Sequence, residues 1–307
     1  MKVAAVIVTY NRKKLLEECL KSVINQTYSL NEIIVIDNNS SDGTYEYLKE
    51  KDILKKINYI KLEKNIGGSG GFYEGMKIAS EKKYDWVWIM DDDTIPNEDC
   101  LENLIKPIEK IEGKTSFFAS CVFGEKGEFM NVPAIDNIKT SNGYAGWYKY
   151  LKFGIVSIKD ATFVSLLING EAIQKCGLPI KSYFLWGDDT EYTMRITKYF
   201  GKAYLIGDSI AIHKRKNAKH TTILLEEDEK RIPMYYYMIR NNLINAKLYG
   251  GKKGVLKSYI KYLINSIMIL FSNSKHKGKK VLIIHKGILA YFFRRYNYKE
   301  VKNRFYI

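Results

Sequence analysis

Cysteine is scarce in this chain, and the spacings that would give it a role are missing. Four cysteines in 307 residues, Cys19, Cys100, Cys121 and Cys176, stand far apart, with no CxxC pair and no zinc-like grouping. Such dispersal fits a reducing compartment better than a disulfide framework, and the four read as packing residues. A secretory leader is not expected either. Met1-Lys2 runs straight into an apolar stretch at 3–8, shorter than a signal-peptide core and followed by no small-residue cleavage site, so secretion is not expected. No GxxxxGK[ST] occurs anywhere, and the first strand-to-helix turn has no GxGxxG, which removes the ATP and NAD readings. There is no internal repeat and no RNP, KH or helix-turn-helix signature.

Acid is nearly absent from one end. From 251 to 307 there are fourteen Lys and Arg against one acid, Glu300, so this segment carries +13 of the +15 total and leaves +2 for residues 1–250. A basic patch fits nucleic acid or an anionic membrane, and the residues between the charges decide. Here Tyr259, Ile260, Leu263, Ile264, Ile267, Leu270 and Phe271 recur at helical spacing, and Ile283, Ile284, Ile288, Leu289, Tyr291, Phe292 and Phe293 form a second set. Lys261, His285 and Lys286 interrupt both before the ~18 apolar residues of a spanning helix. Helices lying on an anionic membrane surface are expected, with no nucleic-acid partner. Nucleic-acid binding through the tail is the reading from another class, and an acid-rich sheet edge elsewhere in the chain weakens it.

What is present is an ordinary folded composition, 46% hydrophobic and 27% charged. The first half alternates as strand and helix: strands at 3–8, 32–36, 59–62 and 84–90, helices at 13–24, from Thr44, and at 72–80. This predicts an α/β fold with a parallel sheet and ligands at the carboxyl ends of its strands. The polar clusters fall there: DNNSSDGT from Asp37, the glycine-rich NIGGSGGF from Asn65, and Asp91, Asp92 and Asp93 closing WIMDDD. The glycines read as a turn whose backbone N–H groups can approach a diphosphate or a sugar. In an extended chain Asp91 and Asp93 point one way and Asp92 the other, and such an acid-x-acid pair can share a divalent cation. Farther on, LWGDDTEYTMR puts Trp186 beside Asp188 and Asp189, a stacking surface next to a candidate base. Asp188 is expected to open a helix, and His213, after the apolar IAI, can complete a metal site with the earlier acids. The composition shift at Gly250-Gly251 sets the expected boundary between a catalytic domain, 1–250, and a basic helical segment, 251–307.

In this order, AVIVTYNRKKLLEECLKSVINQTY, EIIVIDNNSSDGT, NIGGSGGF, WIMDDDT, FLWGDDTEYTMR and IAIHKR resemble the inverting family-two glycosyltransferases of the GT-A fold. Within them the chain looks most like bacterial galactofuranosyltransferases, with rhamnosyltransferases next. The resemblance implies a Rossmann-like nucleotide-sugar-binding sheet with an acceptor-side extension. It implies transfer of galactofuranose from UDP-galactofuranose, or of rhamnose from dTDP-rhamnose, to a lipid-linked cell-surface glycan. Thr9, Asn11, Arg12 and Asp37 would line the nucleotide pocket, with Asp37 reading uracil. Asn65, Gly67, Gly68 and Gly70 would approach the sugar diphosphate, Asp92 and Asp93 would face ribose and metal, and Trp186 would lie by the sugar. Asp91, Asp93 and His213 would hold Mn²⁺ or Mg²⁺, and Asp188 would deprotonate the acceptor. Relatives often read Trp-Asp-Asp where Gly187 intervenes here, so Asp189 stays open as the base. The expected location is cytoplasmic, peripheral at the inner face of the cell membrane, with an oligomer left open.

Overall fold

The first strand, VAAVIVT, is buried along its whole length, as a strand covered by helices on both faces must be. The structure, a computed structural model, describes residues 1–215 and 222–302. Residues 303–307, the end of the predicted basic segment, lie outside the described residues. The alternation runs β1 (Val3–Thr9), α1 (Lys13–Ile24), β2 (Glu32–Asp37), α2 (Thr44–Glu50), β3 (Asn58–Lys61), α3 (Gly67–Glu81) and β4 (Trp86–Asp91). Then follow β5 (Thr94–Pro96), α4 (Cys100–Ile105), β6 (Thr115–Phe123), β7 (Phe129–Met130), β8 (Ala134–Ile135), β9 (Ile155–Asp160), β10 (Leu166–Asn169), α5 (Gly170–Cys176), α6 (Asp188–Tyr199) and β11 (Lys202–His213). The expected α/β sheet is present.

Its order is β3-β2-β1-β4-β10-β6-β11-β9-β8, with β5 on β11 and β7 on β6. The first four strands are parallel, and their register sets Thr9 beside Asp37, Asp37 beside Lys61 and Val8 beside Asp91. One row of polar residues therefore caps the sheet at its carboxyl edge. One face of the sheet packs on α1 through Leu16, Cys19, Leu20 and Val23, the i, i+3, i+4, i+7 stripe the sequence shows. The other face packs on α3 through Phe72, Met76 and Ala79.

The glycine-rich stretch corrects the expectation. Gly67, Gly68 and Gly70 are not in a turn before a helix; α3 begins at Gly67 and they form its first turn. Glycine is required because the helix lies close on β1: a Cβ on Gly71 would sit 2.5 Å from Val8 Cγ1 and 3.0 Å from Asn38 Nδ2. Packing against the sheet overrides the poor helix propensity of glycine.

The chain divides into two compact units, Met1–Pro179 with Tyr192–Ala218, and Ile180–Glu191 with Lys219–Ile307. The second unit thus takes up more chain than the predicted segment from 251 onward. It contains α7 (Tyr235–Phe271), α8 (Lys277–Phe292) and α9 (Tyr298–Lys302). Gly251, with φ 59° and ψ −150°, interrupts α7 at the predicted composition shift. Ile239, Leu243, Tyr262 and Ile269 of α7 share a core with Ile283, Ile284 and Ile288 of α8. Among the described residues, Ile232–Phe271 is long and apolar enough to cross a membrane by length and composition, so interruption by Lys261 does not by itself separate crossing from lying flat.

Candidate active site

Strand β4 stops at Asp91, and Asp92 and Asp93 fall in the turn before β5. The expected alternation, with Asp91 and Asp93 on one side and Asp92 opposite, fails because the chain is no longer extended there. Asp92 and Asp93 instead converge on one cation, the guanidinium of Arg12: Nη1 donates to Asp93 Oδ2 at 2.7 Å and to Asp92 Oδ1 at 3.2 Å. Thr9 Oγ1 donates to Asp92 Oδ2 at 2.7 Å. Arg12 is half-exposed, whereas both carboxylates are buried.

These surroundings separate the two acids. Burial pushes Asp92 up to about 6, with Asp93 adding to the rise and Arg12 and Thr9 opposing it. Burial acts the same way on Asp93, yet His213 and Arg12 outweigh it and hold that carboxyl below its ordinary range. Arg12 loses some basicity to burial, but Asp92, Asp93 and Asp91 more than restore it.

His213 reaches Asp93 through a pairing across 120 residues. Strand β5 runs antiparallel to the end of β11, with Thr94 opposite His213, and Lys214 N–H donates to Asp93 O at 2.8 Å. His213 Nε2 lies 3.1 Å from Asp93 Oδ1, and Nδ1 lies 2.8 Å from Asn131 Oδ1. Asn131 is oriented by its own Nδ2, which donates to Thr162 Oγ1 at 2.9 Å. Its oxygen therefore faces the ring, so Nδ1 carries the hydrogen and donates. Nε2 and Asp93 Oδ1 then face one point, filled by a proton or by a metal cation.

Among the described residues no three acidic, histidine or cysteine side chains form a metal-type cluster. Of Asp91, Asp93 and His213, the structure brings the last two together. A carboxylate and an oriented imidazole fit a divalent ion such as Mn²⁺ or Mg²⁺ that takes its remaining ligands from phosphate and water. Such an ion would take Asp93 Oδ1 beside His213, while Arg12 holds Oδ2.

The other predicted donor-side residues are placed as follows. Asp37 is fully buried; Oδ1 accepts from Ser40 N–H at 2.7 Å and Oδ2 from the Tyr59 hydroxyl. Asn11, at φ 54°, accepts from Ser41 N–H at 2.7 Å and ties the turn after β1 to the turn after β2. Asn65 Oδ1 accepts from Gly67 N–H at 2.8 Å at the start of α3. Asn38 Nδ2 donates to Gly67 O at 3.0 Å. At this helix end Ser69 Oγ is buried with no hydrogen-bond partner among the described residues, and the first-turn N–H groups of α3 form the helix end that suits an anion.

In the second unit the acidic block behaves as a strained loop feeding a helix. Phe184, Trp186 and Gly187 have φ of 67°, 61° and 85°, and the first two are unfavourable for bulky side chains. At Gly187 glycine answers this geometry, since a Cβ there would also meet Asn241 Cβ at 3.2 Å. Asn241 holds the loop: its Nδ2 faces the carbonyls of Tyr183, Leu185 and Trp186 at 3.0, 3.1 and 2.7 Å. Asn245 Nδ2 donates to Gly187 O at 2.8 Å, and its Oδ1 accepts from Tyr183 Oη at 2.6 Å. Asp188, buried, is the first residue of α6 as predicted, and Asp189, half-buried, accepts from Thr190 N–H at 2.7 Å. Trp186 packs on Tyr235, ring centres 5.1 Å apart, with the Arg231 guanidinium 6.0 Å from its ring.

Sequence reasoning missed Asn131, Asn38, Asn241 and Asn245. Asn131 left no local signal. The two in α7 left one: amides four residues apart on an otherwise apolar helical face.

The carboxyl ends of the parallel strands β1 and β4, with the end of β11 in the same mixed sheet, gather Thr9, Arg12, Asp92, Asp93 and His213 and define an α/β protein with a candidate polar site at the topological switch point. Residues 4–156 match glycosyl transferase family 2, and over them the chain belongs to that family. It is similar to the galactofuranosyltransferase GlfT1 of Mycolicibacterium smegmatis, 35% identical over 94 residues, 31% of this chain and 30% of that protein. It is similar to the poly-beta-1,6-N-acetyl-D-glucosamine synthase of Staphylococcus epidermidis, 31% identical over 108 residues, 35% of this chain and 26% of that protein. Each match thus covers less than a third of the relative. The fold is similar to that of S. aureus TarS residues 1–349, solved with UDP-GlcNAc, at 14% identity and a TM-score of 0.60 over 94% of this chain and 81% of that one. The fold is therefore of the GT-A kind, and the chain carries a family-two glycosyltransferase domain.

Proposed function

We propose that this protein is an inverting hexosyltransferase that moves a sugar from a UDP-sugar, UDP-galactofuranose foremost, to a hydroxyl of a lipid-linked cell-surface glycan. The observation carrying this reading is the cluster at the carboxyl edge of the sheet, where Arg12, Asp92, Asp93 and His213 gather opposite charges around one point. Similarity to a galactofuranosyltransferase and to a poly-beta-1,6-N-acetyl-D-glucosamine synthase supports the sugar and a glycan acceptor.

The acceptor oxygen attacks the anomeric carbon as the bond from that carbon to the diphosphate oxygen breaks. UDP leaves with the bonding pair, the acceptor proton passes to a carboxylate, and a single displacement inverts the configuration. Asp188 is the proposed base, with Asp189 as its neighbouring rival. Asp93 and His213, with Asp91 as the further acid of the motif, would hold a Mn²⁺ or Mg²⁺ ion, which when bound would neutralise charge on the departing diphosphate. Arg12 has guanidinium N–H groups beyond those on its two carboxylates, and these can bind and orient phosphate oxygens.

The test is a donor panel of UDP-galactofuranose, UDP-galactopyranose, UDP-GlcNAc and dTDP-rhamnose with Mn²⁺ or Mg²⁺ and a lipid-linked acceptor. Acceptor-dependent UDP release with UDP-galactofuranose is expected. Turnover of dTDP-rhamnose alone reassigns the donor, and no nucleotide release from any donor sinks the transferase reading.

A further inference from the structure

The C-terminal half of α7 carries two apolar faces, and its own unit covers one of them. Tyr262, Ser266 and Ile269 are buried, and Tyr262 and Ile269 belong to the core shared with Ile283, Ile284 and Ile288 of α8. Leu256, Ile260, Ile264, Ile267 and Met268 are each about half exposed, and Phe271 is 87% exposed. At about 100° per residue, positions 256, 260, 264, 267 and 271 fall within about 80° of one another, roughly 150° round the helix from the buried set. Met268 and Leu270, also about half exposed, lie at the two edges of this set, so the uncovered residues occupy one side of the helix, about 160° wide. Helix α8 repeats the arrangement: Ile283, Ile284 and Ile288 face inward, while Leu282, Leu289, Phe292 and Phe293 are 50–69% exposed.

Charge identifies what covers this surface. Lys252, Lys253, Lys257, Lys261 and Lys286 are exposed and make no ion pair among the described residues. By contrast, Lys275 and Lys279 already pair with Glu227 and Glu229. Glu300, the segment's one acid, accepts from the backbone N–H groups of Lys181 and Ser182. Apolar stripes edged by unpaired lysines, with no acid to oppose them, complement a surface that is anionic outside and apolar within. Nucleic acid offers no apolar layer for Ile264 or Phe271, and a second copy of this face would set lysine against lysine.

We infer that the exposed faces of the C-terminal half of α7 and of α8 are a docking surface for an anionic lipid bilayer, lying in its interface with the apolar side chains inserted and the lysines among the headgroups. The inward face of each helix stays packed against the other, so the pair rests on the membrane without crossing it. This inference is independent of the transferase reading and survives if that reading fails.

The experiment is co-sedimentation of the full chain with vesicles of phosphatidylcholine alone or mixed with phosphatidylglycerol. Binding is expected to the mixed vesicles only, and to weaken with salt. Lys257→Glu with Lys261→Glu is expected to weaken it roughly 10-fold or more, and Ile264→Asp with Phe271→Asp to abolish it. Because all four side chains are exposed, circular dichroism and UDP affinity should stay as in the native chain. The proposal is overturned by equal binding of the native chain and Ile264→Asp/Phe271→Asp. It is equally overturned by lipid-free self-association that this variant abolishes, by duplex DNA competing away the vesicles, or by resistance to alkaline carbonate extraction, the mark of a spanning helix.

Discussion

Replacing Asn241 by alanine tests how the loop before Asp188 is held. Asn241 is fully buried, and its two amide hydrogens serve three carbonyls, those of Tyr183, Leu185 and Trp186. Alanine takes this donor from Leu185 O and Trp186 O in a part-buried setting, while Tyr183 O keeps Arg240 Nη2 at 3.0 Å and Leu185 N–H at 2.8 Å. At about 1–3 kcal/mol for each unsatisfied group, discounted because three acceptors share two hydrogens, the loss is about 2–4 kcal/mol. Phe184 and Trp186, held at φ 67° and 61°, can then relax, since such backbone strain is worth about 1–3 kcal/mol per residue when nothing enforces it. The residue carried out of place is Asp188, which follows directly. Displacement of a reacting group by about 1 Å costs about 100-fold in rate. The assay pairs kcat, from acceptor-dependent UDP release, with UDP affinity by calorimetry. Asn241→Ala should lower kcat about 100-fold while UDP affinity stays native, because Thr9, Arg12, Asp92 and Asp93 all belong to the first unit. Asn245→Ala, which removes the donor to Gly187 O and the acceptor of the Tyr183 hydroxyl but leaves the Asn241 contacts, should cost less in kcat. A folded Asn241→Ala protein with native kcat would refute the reasoning.

Asp93→Ala should weaken UDP and Mn²⁺ binding together, whereas Asp188→Ala should leave both at native strength and abolish transfer; native transfer by Asp188→Ala moves the base to Asp189. Asn131→Ala removes the acceptor that orients His213, and should lower Mn²⁺ affinity about 10- to 100-fold by calorimetry, with unchanged affinity counting against an oriented imidazole ligand. Asp92 has its carboxyl raised from 3.8 to about 6, so its ionised form burdens the folded state at neutral pH, and that burden lifts progressively as pH falls from about 6 toward 3.8. In chelator, unfolding titrations should therefore show the native chain gaining about 1–1.5 kcal/mol on Asp92→Asn between about pH 7.5 and 5. Parallel curves would contradict a raised Asp92.

The alternation of β1 through β4 with their helices was legible because burial leaves a local, periodic trace: continuous apolar residues in β1, and Leu16, Cys19, Leu20 and Val23 in α1. The gathering of Thr9, Asp37 and Asp91 at one edge followed from the same trace, since parallel strands end together. The helical start of α3 was hidden, because GGSGG has poor intrinsic helix propensity and only the closeness of Val8 explains it.

By itself, then, the sequence determined the class of sheet, which residues end its strands and which segment carries the charge, all properties fixed by neighbours a few residues away. Tertiary structure alone decided that β5 pairs with the end of β11, so that Asp93 meets His213 with Asn131 behind it. It also decided that Arg12 is the cation between Asp92 and Asp93, and that Asn241 steadies the loop before Asp188. These contacts join residues 55 to 120 positions apart, and no local periodicity records which distant strand or helix a side chain will meet, because that choice depends on register and packing across the whole core.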